Sequence, residues 1–111
     1  FHSNQITIID VTQNPFLEVL SFGDNKVTKL SVVNNNQLNE LRCYGNKLNC
    51  LDMKNGNNSN ILNFDATGNT DLNCIEVDDP SWSITNWNSS NKNIDVGVAF
   101  SINCSYSSGC F

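Results

Sequence analysis

Apolar residues return along this chain at a fixed rhythm, with neither a helical stripe nor a long alternating run. Leu17, Leu20, Phe22 and Asn25 set a pattern. Leu38, Leu41, Cys43 and Asn46 repeat it, and Ile61, Phe64, Ala66 and Asn69 repeat it again, at spacings of 21 and then 23 residues. A second series lies between them. It runs Ile6, Ile9, Val11, Asn14; Val27, Leu30, Val32, Asn35; Leu48, Leu51, Met53; and Leu72, Ile75, Val77. Each long unit thus holds two half-units, both written L-x-x-L-x-L-x-x-N. In the third member of the second series, KNGNNSN adds two residues and puts Gly56 at the Asn place. A loop bulging from the stack is expected there.

In L-x-L, two apolar residues flank an outward one, which is strand periodicity over a very short run. No ten-residue helical pattern occurs, and each unit is too short for a strand plus a full helix. The pattern predicts a solenoid, mostly β, with short parallel strands stacked in a right-handed coil, little helix and a C-terminal cap. One such unit cannot bury its apolar face alone, so neighbours must stack and ends must be covered. Any single Asn here is readily a turn former. Three in register, Asn25, Asn46 and Asn69, predict an inward ladder that satisfies backbone groups of neighbouring coils.

Composition narrows the function. Charged residues are 15% of the 111, the net charge is −5, and about one residue in five is Asn. Nucleic acid and anionic membranes both demand a positive face, so neither is an expected partner. No apolar run reaches membrane-spanning length, and the opening residues carry no signal-peptide pattern. The abrupt start leads us to expect part of a longer chain. Five cysteines, at 43, 50, 74, 104 and 110, point to disulfides and an extracellular setting. Being odd in number, they leave at least one thiol free or bonded to another chain. No CxxC occurs and His2 is the only histidine, so no metal or cofactor is expected.

At LRCYGNKLNCLDM, residues 41–53, the chain resembles the leucine-rich repeats of bacterial surface proteins, in the short nested class sometimes called IRREKO type. LNCIEVDDPSWSITNW followed by FSINCSY is similar to the segment closing such repeats in secreted proteins of Bacteroidetes-like bacteria. The resemblance covers residues 6 to about 106, with the loop at 54–60 and the tail SSGCF as departures. It implies repeats of 21–23 residues over 1–77 and a capping segment over 78–111. It further implies a binding or adhesion role in a secreted or cell-surface protein, and a Cys74–Cys104 disulfide tying the closing segment to the last coil. Such a loop of about 30 residues would contribute on the order of 3 to 4 kcal/mol. Cys50 with Cys110 stays open, since connectivity is not written in sequence. Cys43, at an inward place, is expected to be a buried free thiol.

Catalysis finds little to work with. A nucleophile–His arrangement needs a rigidly held histidine, and His2 lies at a terminus. Asp10, Asp52 and Glu76 share one place and are expected to form an exposed acidic stripe with Ser31. Asp78 and Asp79 offer too few oxygens for calcium and are expected to be turn residues before Pro80. GDNK and GNK lack a phosphate cradle. Thr7, Thr12, Thr28 and Thr67 form no ranks of the kind that bind ice. We expect no enzyme. Outward places on the first series are Val19, Ser21, Gly23, Glu40, Arg42, Tyr44, Asn63, Asp65 and Thr67. Among these, Arg42 and Tyr44 are the residue types that dominate interfaces. With Ser21, Glu40 and Asp65 they form the expected ligand face, for a protein partner first. Alternatives are a spacer without its own ligand, or a glycan held by Trp82, Trp87 and Tyr44. A cap over the core is the plainer role for Trp82, Trp87 and Phe100.

Overall fold

The computed structural model describes residues 5–106 and 110–111. His2 and residues 107–109 of the SSGCF tail lie outside the described residues. The fold is mostly β, with short parallel strands in two sheets and one α-helix. The first sheet runs β1 (Val19–Ser21), β3 (Glu40–Arg42) and β5 (Asn63–Asp65) in that order. The second runs β2 (Lys29–Ser31), β4 (Cys50–Asp52), β6 (Cys74–Glu76) and β7 (Ala99–Ser101). Every pairing is parallel. Leu20 stands beside Leu41 and Leu41 beside Phe64, so the middle residue of each strand faces inward. Inward side chains of both sheets meet in one apolar cluster, with Phe22, Leu30, Leu41, Leu51 and Ile75 fully buried.

Backbone pairing continues past the strands. Phe22 N–H donates to Arg42 O at 2.9 Å and Asp24 N–H to Tyr44 O at 3.0 Å. After the next strand of that sheet, Cys43 N–H donates to Asp65 O at 2.8 Å and Gly45 N–H to Thr67 O at 2.9 Å. Asp24, Gly45 and Gly68 occupy the same place after β1, β3 and β5, and all have positive φ, at 58°, 65° and 71°. The left-handed residue turns the chain just ahead of Asn25, Asn46 and Asn69. Glycine meets that demand without a Cβ penalty, and Asp is among the few others that tolerate it.

The one α-helix among the described residues, α1 (Pro80–Asn86), escapes a search for long periodicity because it has only 7 residues. Its start is written plainly all the same. Asp79 caps it by accepting from Ser81 N and Trp82 N, and Pro80 sits in the first turn. Asp79 is therefore a helix cap. Asp78 accepts from Gly56 N and Asn58 N, which commits its carboxylate to the 54–60 segment.

That segment is only partly outward. Asn55 and Asn58 are buried, and a 3₁₀ turn covers Asn58–Asn60. Asn58 Nδ2 donates to Met53 O at 2.6 Å, and its Oδ1 accepts from Asp78 N at 3.0 Å. The two extra residues move the inward Asn from place 56 to place 58.

Candidate functional site

Register decides which outward side chains meet. Pairing of β1, β3 and β5 aligns Ser21, Arg42 and Asp65 in one row and Val19, Glu40 and Asn63 in the next. Neighbouring strands sit about 4.8 Å apart, so these rows are contiguous. Arg42 Nε lies 3.1 Å from Glu40 Oε2 along its own strand, with the Arg42 side chain 44% exposed. That contact uses one of five guanidinium N–H groups. Asn63 Nδ2 donates to Glu40 Oε1 at 3.5 Å. Asp65 Oδ1 accepts from Thr67 N at 3.0 Å and Thr67 Oγ1 at 2.6 Å. Ser21, Glu40, Arg42 and Asp65 are thus brought together. Tyr44 stands one row further, and its ring folds onto the backbone of Gly23, where any Cβ would collide with it. Gly23, expected to face outward, is buried beneath that ring.

Beside β5 lies a groove of about 310 Å³. Arg42, Asn63 and Asp65 form one wall, and Asn91, Lys92 and Asn93 form the other. The second wall was invisible in the repeat pattern because it comes from the loop after α1. Three asparagines hold that loop. Asn88 N–H donates to Asn93 Oδ1 at 3.2 Å, and Asn91 N–H to Asn88 Oδ1 at 2.9 Å. Asn93 clamps the loop to β5, donating to Phe64 O at 2.7 Å and accepting from Ala66 N at 2.8 Å. The run N-S-S-N-K-N carries turn chemistry that marks a tight loop, though not its destination.

Asn25, Asn46 and Asn69 are buried and bond to backbone. Asn46 Nδ2 donates to Phe22 O, Cys43 O and Tyr44 O, and its Oδ1 accepts from Val27 N at 3.1 Å. Asn69 Nδ2 donates to Cys43 O, Ala66 O and Thr67 O, and its Oδ1 accepts from Leu48 N at 3.1 Å. Asn25 Oδ1 accepts from Ile6 N at 3.3 Å. Asn35, fully buried, plays a related part in the second series by donating to Val11 O and Asn14 O.

The second sheet is strapped by the C-terminal segment. Disulfides join Cys74 to Cys104 and Cys50 to Cys110, and Cys43 is free and buried. Two disulfides in so small a chain fit an oxidising, extracellular environment. Pairing of β4 with β6 is limited to Asp52 and Glu76. Where the ladder opens, the Tyr106 hydroxyl bridges Leu51 N and the carbonyls of Leu51 and Cys74. Burial pushes that phenol up from its ordinary value. Lys54 Nζ reaches Ile102 O at 3.1 Å and Glu76 Oε1 at 2.9 Å, and Glu76 Oε2 accepts from Cys104 N at 3.0 Å. Ser31, Asp52 and Glu76 do align, but the acidic stripe is not exposed along its length, because the strap buries Glu76.

Trp87 is buried, 4.5 Å from the Phe64 ring and 6.3 Å from Phe100, while Trp82 meets it edge-on at 5.2 Å and 82°. With Trp87 buried and the half-buried Trp82 edge-on to it, the two indoles give a sugar ring no flat paired platform. Among the described residues no group of three or more His, Cys, Asp or Glu could hold a metal ion. No helix among them is long and apolar enough to cross a membrane. Comparison with protein-family models, with curated proteins and with solved structures returns no match to this chain.

Proposed function

We propose that the chain is a leucine-rich repeat solenoid, with repeats over 1–77 and a cap over 78–111, serving as a non-catalytic protein-binding or adhesion module of a secreted or cell-surface bacterial protein. The observation that carries this reading is the asymmetry of the two sheets. One has its outward side occupied by a disulfide-tied strap, through Tyr106, Cys104 and Cys110. The other leaves Arg42 exposed and Tyr44 half-exposed on its outward face. Arg and Tyr on such a face are the side chains that concentrate binding energy. A glycan reading through the two indoles loses its support, since Trp87 is buried in the core.

The test is a binding screen of the folded chain against host matrix proteins and a glycan array. An Arg42→Ala, Tyr44→Ala double variant runs beside Lys29→Ala on the strapped sheet. Saturable protein binding lost only in the double variant supports the reading. Binding that survives it moves the site elsewhere, and no binding by a folded chain leaves a spacer.

A further inference from the structure

The chain has six basic residues against eleven acidic ones, yet two of the six, Arg42 and Lys92, line the same groove. They arrive there from elements 50 residues apart. Among the described residues, Lys92 makes no ion pair, and Arg42 keeps most of its guanidinium N–H groups beyond the single contact to Glu40. Asp65, the acid in the groove, has one oxygen committed to Thr67. The side-chain amides of Asn63 and Asn91 also line it, each with one N–H turned to the protein, toward Glu40 Oε1 and Asn86 O. The lining thus carries two cationic side chains against one carboxylate.

A second observation singles out Lys92. Its φ is 61°, a left-handed conformation that costs a side-chain-bearing residue about 1 kcal/mol or more, and that Gly or Asn would adopt more readily. The loop holds it there through Lys92 N–H to Ser89 O at 3.1 Å and Asn93 N–H to Asn88 O at 3.1 Å. Unfavourable backbone under a charged residue at a groove is the pattern expected of a side chain kept for contact.

We infer that this groove receives a carboxylate side chain, Asp or Glu, of a protein partner, clasped between Arg42 and Lys92. The inference rests on the proposed recognition role of the β1-β3-β5 face and names its ligand chemistry. Charge-assisted bonds from guanidinium and ammonium suit a carboxylate, and Arg binds it two-pronged. Leu62, 81% exposed at the rim, and Val19, 51% exposed on the same face, offer the apolar contact a protein surface uses. A sugar would want an open aromatic pair, whereas Trp87 is buried and the half-buried Trp82 stands edge-on to it.

The experiment is a titration of the isotope-labelled chain followed by amide chemical shifts. Ligands are N-acetyl-L-glutamate, its uncharged counterpart N-acetyl-L-glutamine, and D-galacturonate as the acidic-sugar arm. Saturable shifts at 42, 63, 65 and 91–93 with the glutamate alone are expected. Arg42→Gln and Lys92→Gly should each weaken binding about tenfold. Lys92→Gly suits the left-handed backbone, so its fold is safe and its loss reads contact alone. Equal shifts with the glutamine compound, shifts confined to other residues, or unchanged binding in Lys92→Gly would overturn the inference. Tighter binding of galacturonate would overturn the protein ligand in favour of an acidic sugar. A successful partner screen with a silent titration sinks this inference and spares the proposed function. A failed screen with a positive titration does the reverse.

Discussion

Replacing Asn46 with Ala removes four hydrogen bonds of unequal weight. The three carbonyls it serves each keep another donor. Phe22 O retains Asn25 Nδ2 at 2.9 Å, Cys43 O retains Asn69 Nδ2 at 3.1 Å, and Tyr44 O retains Asp24 N at 3.0 Å. The Val27 N–H, fully buried, loses Asn46 Oδ1. A buried orphan donor costs about 1–3 kcal/mol, and the void left by the amide adds roughly 1 kcal/mol. Asn46→Ala should therefore destabilise by about 2–4 kcal/mol in urea unfolding of the oxidised chain. Asn34→Ala, at an exposed place, should stay within about 0.5 kcal/mol of the parent. Asn46→Asp gives the sharper reading. It keeps the acceptor for Val27 but points the introduced carboxyl at three carbonyls, so its folded pKa must lie above the unfolded value of about 3.9. A raised folded pKa means the variant is nearest the parent below about pH 4 and loses stability as pH rises through the folded value. An Asn46→Ala cost no larger than that of Asn34→Ala, or an Asn46→Asp deficit that ignores pH, would refute the inward-amide argument.

In Gly23→Ala the new methyl would occupy the Tyr44 ring position. A cost of about 1–2 kcal/mol should largely vanish in a Tyr44→Ala background, as a double-mutant cycle would record. Burial, with Asp65 adding to it, pushes the Cys43 thiol well above its ordinary value. Iodoacetamide labelling followed by mass spectrometry should track unfolding, and rapid labelling of the native chain would contradict this. Burial alone would raise the Glu76 carboxyl, but the Lys54 ammonium and the Cys104 N–H outweigh it and hold the group below its ordinary value. Its contribution is therefore present above the ordinary carboxylate range and lost as pH falls through the lowered value. Glu76→Gln should flatten the acid side of the melting-temperature profile, and an unchanged profile would count against the contact.

Strand positions were legible because L-x-L leaves few alternatives to a short strand, and a recurrence of 21 to 23 residues aligns those strands side by side. The spacing of Asn25, Asn46 and Asn69 likewise carries their shared place. Other features were silent for physical reasons. The left-handed residue ahead of each Asn appears as Gly45 and Gly68 after two strands but is disguised as Asp24 after the third. The shift of an inward Asn to 58 needs the two-residue insertion counted from both sides. Glu76 looks solvent-facing in a repeat diagram, and only the strap, arriving from 28 residues downstream, covers it. Lys92 belongs to no repeat, so its meeting with Arg42 emerges only when Asn93 pins its loop to β5.

The link between Cys50 and Cys110 also sets how the chain would carry tension. It spans 60 residues of sequence, so a pull on the two ends bypasses everything between them. Only the first 50 of the 111 residues can extend, to roughly 165–180 Å rather than the roughly 370–400 Å of an uncrosslinked chain. Strand β3 lies in the extensible part, while β5 and the Lys92 loop lie in the sheltered part. Load would therefore peel β3 from β5 and draw Arg42 away from Lys92, opening the groove while the covalently closed remainder stays folded.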